Sequence, residues 1–155
     1  MSLQKSASVR FVIMILIMAL VYLLLRPLEG HLVEPTIKLS SWISGLIFER
    51  VHVAGNCIFI EDVRVEVIEA CTPTIFWALL FAYVVLDWNG KRSIATLLIG
   101  IPAVFFINAL RIPFIVLLFN LGMSFQTAHE LAEYALFLPT MFLLVILNTK
   151  IQNRS

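Results

Sequence analysis

Apolar residues run along this chain in long uninterrupted blocks, with the polar residues gathered between them. The first block, 11–25, follows a short polar start carrying Lys5 and Arg10 and is closed by Arg26 and Pro27. It reads as span one, an uncleaved anchor. A basic start before an apolar core also fits a signal peptide, but no small-x-small cleavage pattern follows Leu25. From 27 to 70 the chain is polar enough to leave the membrane. Within that segment, 33–51 places Ile37, Trp42, Ile43, Leu46, Ile47 and Val51 on roughly one helical face, as in an amphipathic helix on a bilayer surface. Residues 52–60 and 63–68 follow, where Val63, Val65 and Val67 alternate with Arg64, Glu66 and Ile68. With Glu61-Asp62 as the turn, this predicts a small β-hairpin.

The second block, 74–86, is expected to be a helix with Thr72 as N-cap and Pro73 as first helical residue. It ends in Asp87-Trp88-Asn89-Gly90-Lys91-Arg92, where Asn-Gly turns the chain and two cations flank the membrane. A third block runs over 93–110 until Arg111 interrupts it. The apolar piece beyond, 112–121, is too short to cross about 30 Å of hydrocarbon, so it either continues the helix into the outer interface or re-enters the membrane. After a loop at 122–126, Thr127-Ala128-His129-Glu130 has capping-box spacing and opens the fourth block, 131–148. The predicted class is an all-α membrane protein in one domain, 1–155: a bundle of about four transmembrane helices, with an extracytoplasmic amphipathic helix and the β-hairpin between spans one and two.

Composition strengthens this reading. At 61% hydrophobic and 14% charged, the chain departs from the soluble average of about half apolar and a quarter charged. Its net charge of +1 gives no reason to expect nucleic acid as a partner. The two cysteines, Cys57 and Cys71, allow one disulfide at most, and with no CxxC or Cys/His ligand spacing neither a metal nor a cofactor is expected. Placing the N-terminus in the cytoplasm puts Lys5, Arg10, Lys91, Arg92, Lys150 and Arg154 in short inner segments, as the positive-inside rule prefers. Both termini are then cytoplasmic in a multi-pass protein of the cell membrane. Cys71, Arg111 and His129 emerge at its outer face.

Those three residues are the parts of acyl transfer through a thioester: a nucleophile beside a helix start, a cation for the oxyanion, and a proton carrier. Each has an ordinary alternative. Cys71 also fits a small buried thiol, Arg111 a snorkelling boundary residue, and His129 a surface residue of a first helical turn. Asn108, three residues before Arg111, is placed to orient the guanidinium or to donate to substrate, and Glu133, one turn after His129, to fix its tautomer. Glu69, two residues before the cysteine, joins them as a supporting residue. His31 and His52 read as solvated loop residues, and Trp42, Trp77 and Trp88 as interface aromatics. Two competing functions are a thiol oxidoreductase pairing Cys57 with Cys71, and a non-catalytic membrane assembly protein.

The order Cys71, then Asn108-Ala109-Leu110-Arg111, then His129 resembles the exosortase and archaeosortase family of membrane-embedded cysteine transpeptidases. The resemblance covers roughly 51–148. It departs after the cysteine, where Thr72-Pro73 stands in place of the usual Ser-Gly, and in being shorter than the larger exosortases. It implies a protease or transpeptidase that cleaves the C-terminal sorting signal of exported proteins, a short motif followed by a hydrophobic helix and a basic tail, and passes the remainder to a lipid or glycan anchor. By that likeness Cys71 forms the thioacyl intermediate, Arg111 supports it electrostatically and His129 moves the proton.

Overall fold

The computed structural model describes the backbone of residues 2–88 and 90–152, and the side chains of 9–88, 90–139 and 141–142. Asn89 of the expected turn and Arg154 of the tail fall outside the described residues, and only backbone is described for Lys5 and Lys150. Among the described residues five helices make up most of the structure: α1 (Ser2–Leu25), α2 (Glu29–Gly45), α3 (Thr74–Leu86), α4 (Lys91–Asn120) and α5 (Phe125–Gln152). Single turns of 3-10 helix, Arg26–Leu28 and Glu69–Cys71, join α1 to α2 and precede α3. Among the described residues two helical stretches are long and apolar enough to cross a membrane, Val9–Gly45 and Lys91–Asn120, whereas α3 has 13 residues.

The packing order is α1 on α3, α3 on α4 and α4 on α5, with α2 folded back on α4. At one end of the bundle Arg10 pairs with Asp87, tying the start of α1 to the end of α3. At the other end the buried Glu29 accepts a hydrogen bond at 2.6 Å from the Thr74 hydroxyl, joining the start of α2 to the start of α3. Gly90, at φ +50°, supplies the left-handed turn into α4 that a side chain would disfavour.

The segment between α1 and α3 departs from expectation in two ways. The predicted hairpin is a three-stranded antiparallel meander of β1 (Val51–Ala54), β2 (Cys57–Ile60) and β3 (Val63–Glu66), so the class is not purely helical. What read as one strand over 52–60 folds back on itself at Gly55-Asn56, with Gly55 at φ +57°. The second turn, at Glu61-Asp62, is as predicted. Glu61 holds a positive φ of 51° because its carboxylate accepts from the Glu49 and Arg50 amides and the Arg50 guanidinium. The Arg50 amide leads in holding the Glu61 carboxyl below the ordinary carboxylate range.

Second, α2 stops at Gly45, and it buries Ile37 and Ile43 of the predicted face together with Val33, Thr36, Ser40 and Ser44. Trp42, Leu46 and Ile47 point outward. The small hydroxyl residues let α2 lie close against α4, an opportunity that a count of large apolar residues overlooks. Of the two readings of 112–121, the structure has the continuation of the helix and not the re-entrant element. That stretch is the upper part of an unbroken α4, and Ile112 and Val116 pack with Val33, Ile37, Ile58, Ile60, Val65 and Val67 into one core. Fully burying such a side chain adds about 1.5–3 kcal/mol. The cap of α2 and sheet is thus built around the top of α4.

Smaller corrections have local causes. Trp77 donates its indole N–H to the Ile101 carbonyl at 3.0 Å and so ties α3 to α4. His31 lies on α2, and His52 on β1, where it stacks on Phe59 at 4.6 Å. The cap of α5 is Ser124, whose hydroxyl accepts from the Thr127 amide, so the helix starts at Phe125 and the expected capping box is absent. Glu130 instead accepts from Gln126 at 3.1 Å.

Candidate active site

Cys71 closes the 3-10 turn Glu69–Cys71 immediately before α3. Thr72 does not cap that helix: its hydroxyl donates back to the Glu69 carbonyl at 2.7 Å, and Pro73 is the residue that precedes the first helical turn. This uses up the donors beside the sulfur. The Cys71 amide goes to the Ile68 carbonyl at 2.8 Å, the Thr72 amide to the Glu69 carbonyl at 3.0 Å, and Pro73 has none. Beyond these, donors for an oxyanion next to Cys71 would come from the first amides of α3 or from another element packed against the turn.

That element is α4. Asn108, 6% exposed, donates Nδ2–H to the Cys71 carbonyl at 2.7 Å and pins the turn against the helix. One turn further on, Arg111 is half-buried and donates from Nη2 to Nε2 of His129 on α5 at 3.1 Å. Arginine has only donors, so Nε2 is the acceptor and the imidazole proton sits on Nδ1. Arg111 lies 20 residues beyond Lys91, about 30 Å of helix, which matches the hydrocarbon thickness. Cys71, Asn108, Arg111 and His129 line a single cavity of about 310 Å³, closed on its far side by Arg64, Glu66 and Phe125.

Residues 3–146 match the transmembrane exosortase family (Exosortase_EpsH). The chain belongs to that family. It is also 31% identical over 149 residues to the probable archaeosortase E of Methanocaldococcus jannaschii, an alignment covering 93% of this chain and 79% of that one. No solved structure matches it. The resemblance drawn from Cys71, Asn108 to Arg111 and His129 is borne out at the level of the family, and the chain is a membrane protein. Exosortases and archaeosortases are in general cysteine peptidases or transpeptidases acting on exported proteins with C-terminal sorting signals.

In this exosortase-family chain the expected supporting residues are distributed unevenly. Asn108 touches the cysteine rather than the guanidinium. Glu133 lines a groove on the other side of Arg111, and His129 takes Arg111 as its partner instead. Glu69 contributes its carbonyl to the turn, while its carboxylate lies beside Gly30 on α2, outside the cavity. Cys57 is buried in β2 beneath Arg64, whose Nε–H donates to Sγ at 3.3 Å, and it does not line the cavity. That bond leads in raising the Arg64 pKa. Both thiols are free, as a pair poised for disulfide exchange need not be.

Sequence reasoning missed Arg64 and Glu66 as cavity walls, although their outward alternation with Val63, Val65 and Val67 marked them as available. Glu29 was missed as well. Its partner Thr74 lies 45 residues away, and the pairing leaves no local signal.

Proposed function

We propose that this single-domain membrane protein is a cysteine transpeptidase that cleaves C-terminal sorting signals of exported proteins and transfers them to an anchor. The observation that carries the reading is one cavity lined by a thiol, an imidazole and a guanidinium, the last two in hydrogen-bond contact.

In the resting site Arg111 occupies the His129 lone pair. The arriving substrate carbonyl draws the guanidinium away, which frees Nε2 to take the Cys71 proton. The thiolate attacks the carbonyl carbon and Arg111 holds the oxyanion with its planar donors. Collapse forms the thioester and expels the amine, which takes the proton back from the imidazolium. The acceptor nucleophile then attacks the thioester, gives its proton to His129 and releases the cysteine. Carboxylate ligands or a metal have no step in this scheme.

The charge pattern supports about four spans, with both termini inside the cell membrane and the cavity on the extracytoplasmic face. Reporter fusions at Asn89 and Asn153 are expected to report cytoplasm, and an exported signal at either would overturn that orientation. The central test compares Cys71→Ala with Cys57→Ala in processing of a cognate exported protein. Loss with the first and retention with the second is expected. Equal loss in both would favour the oxidoreductase, and retention in both the assembly protein.

A further inference from the structure

The turn that carries Cys71 is held from two sides. On one, Asn108 of α4 donates to the Cys71 carbonyl at 2.7 Å. On the other, a line of polar atoms runs into the turn from Glu29, the first residue of α2. Glu29 Oε1 accepts from the Thr74 hydroxyl at 2.6 Å, Thr74 Oγ1 lies 3.4 Å from Thr72 Oγ1, and the Thr72 hydroxyl donates to the Glu69 carbonyl at 2.7 Å. Thr72 and Thr74 are 3% and 2% exposed and Glu29 7%, so these bonds are shielded from water. The acid sets their direction. A hydroxyl has one proton to give, and with that of Thr74 committed to Glu29, Thr74 can only accept from Thr72. Stability alone gives little reason for a carboxylate at this position, since apolar residues in place of buried charges often hold a fold as well or better.

We propose that Glu29 is a positioning residue for Cys71, an assignment that rests on the thiol reading above and adds to it a side chain outside the cavity. Glu29 touches no reacting atom and acts through Thr74 and Thr72. The amide and the hydroxyl of Thr72 both donate to the Glu69 carbonyl, so Thr72 closes the turn at the residue that follows the sulfur. Without the carboxylate, Thr74 and the turn before it lose their tie to α2, and Cys71 shifts relative to Arg111 and His129. Because α2 also carries Val33 and Ile37 of the core shared with the sheet, one junction sets the place of the cap and of the thiol.

The test uses the full chain in bilayers and a cognate exported protein. Glu29→Leu keeps the volume and removes the acceptor, whereas Glu29→Gln keeps an acceptor at the same reach. A misplacement of about 1 Å costs on the order of 100-fold in rate, so Glu29→Leu should lower the maximal processing rate about 10- to 100-fold with KM within about twofold, and Glu29→Gln should restore most of it. Thr74→Val should match Glu29→Leu, and the double variant should lose no more than either alone. As a readout independent of turnover, iodoacetamide should alkylate Cys71 at a changed rate in Glu29→Leu, and Cys57, buried in β2, at the wild-type rate. Wild-type processing by Glu29→Leu, additive losses, an unchanged Cys71 alkylation rate, or equal acceleration at both cysteines, the mark of a loosened fold, would overturn the assignment. The thiol reading fails separately, as processing that survives Cys71→Ala, and the Cys71 alkylation rate would still report on Glu29.

Discussion

Below Arg111, α4 turns Ile94, Leu98 and Ile99 outward, each at least 50% exposed, while above it Ile112, Ile115, Val116 and Leu118 are all 7% exposed or less. Both halves are apolar in sequence. Below the arginine, lipid covers what the protein leaves bare, so packing can stay sparse. Above it, water would meet those side chains, and α2, the sheet and the start of α5 cover them instead. The same residue types are therefore covered in two ways, and the change occurs within a turn of Arg111.

A charge placed on either half should break the comparison most visibly. Val116→Asp buries an unpaired carboxylate in a fully covered core and should cost about 4 kcal/mol or more, releasing the cap to protease. Leu98→Asp should leave the cap protected and reduce membrane insertion by about 2.5–3.5 kcal/mol instead. Equal protease sensitivity of the two would mean that the cap is not a separate core. At the boundary, Arg111→Lys keeps the charge and loses the planar fork. Processing should fall about 100- to 1000-fold with normal expression, whereas a snorkelling anchor would tolerate lysine.

A methylene-sized change sharpens the contrast. Ile112→Val should lower thermal stability in detergent by about 0.5–1.5 kcal/mol, and Ile99→Val should leave it within about 0.5 kcal/mol. The smallest effect concerns pH. Because the folded Glu61 carboxyl sits below its ordinary range of about 4.5, the stability it lends is present above that value and lost as pH falls through the lower folded one. Glu61→Gln should flatten this acid-side loss in a melting-temperature profile, and an unchanged profile would count against the Arg50 contacts.

Much of this was legible because apolar blocks between turn residues do not depend on distant partners. The existence of α1, α3, α4 and α5, the alternation in β3, and the order of Cys71, Arg111 and His129 follow from the residues alone. What escaped depended on distant contacts or on a choice between local ones. The role of 112–121 was hidden because nothing nearby says whether an apolar helix faces lipid or a sheet formed 50 residues earlier. Thr72 was misread because its hydroxyl can either accept from a helix amide as a cap or donate back to a carbonyl, and the 3-10 turn won over the helix cap. The turn at Gly55-Asn56 was readable, since a two-residue Gly-Asn pair between β-rich segments is a hairpin signal.

The cap closes on α4, and this has a consequence for how the protein is made. Val67 completes the sheet's share of the core, but Val116 is synthesised 49 residues later, roughly 2–10 s at about 5–20 residues per second. Until then Ile58, Ile60 and Val67 lack the helix that covers them, and Cys71 lacks Asn108 and Arg111. The nascent thiol thus emerges before the side chains that line its cavity, and His129 arrives later still.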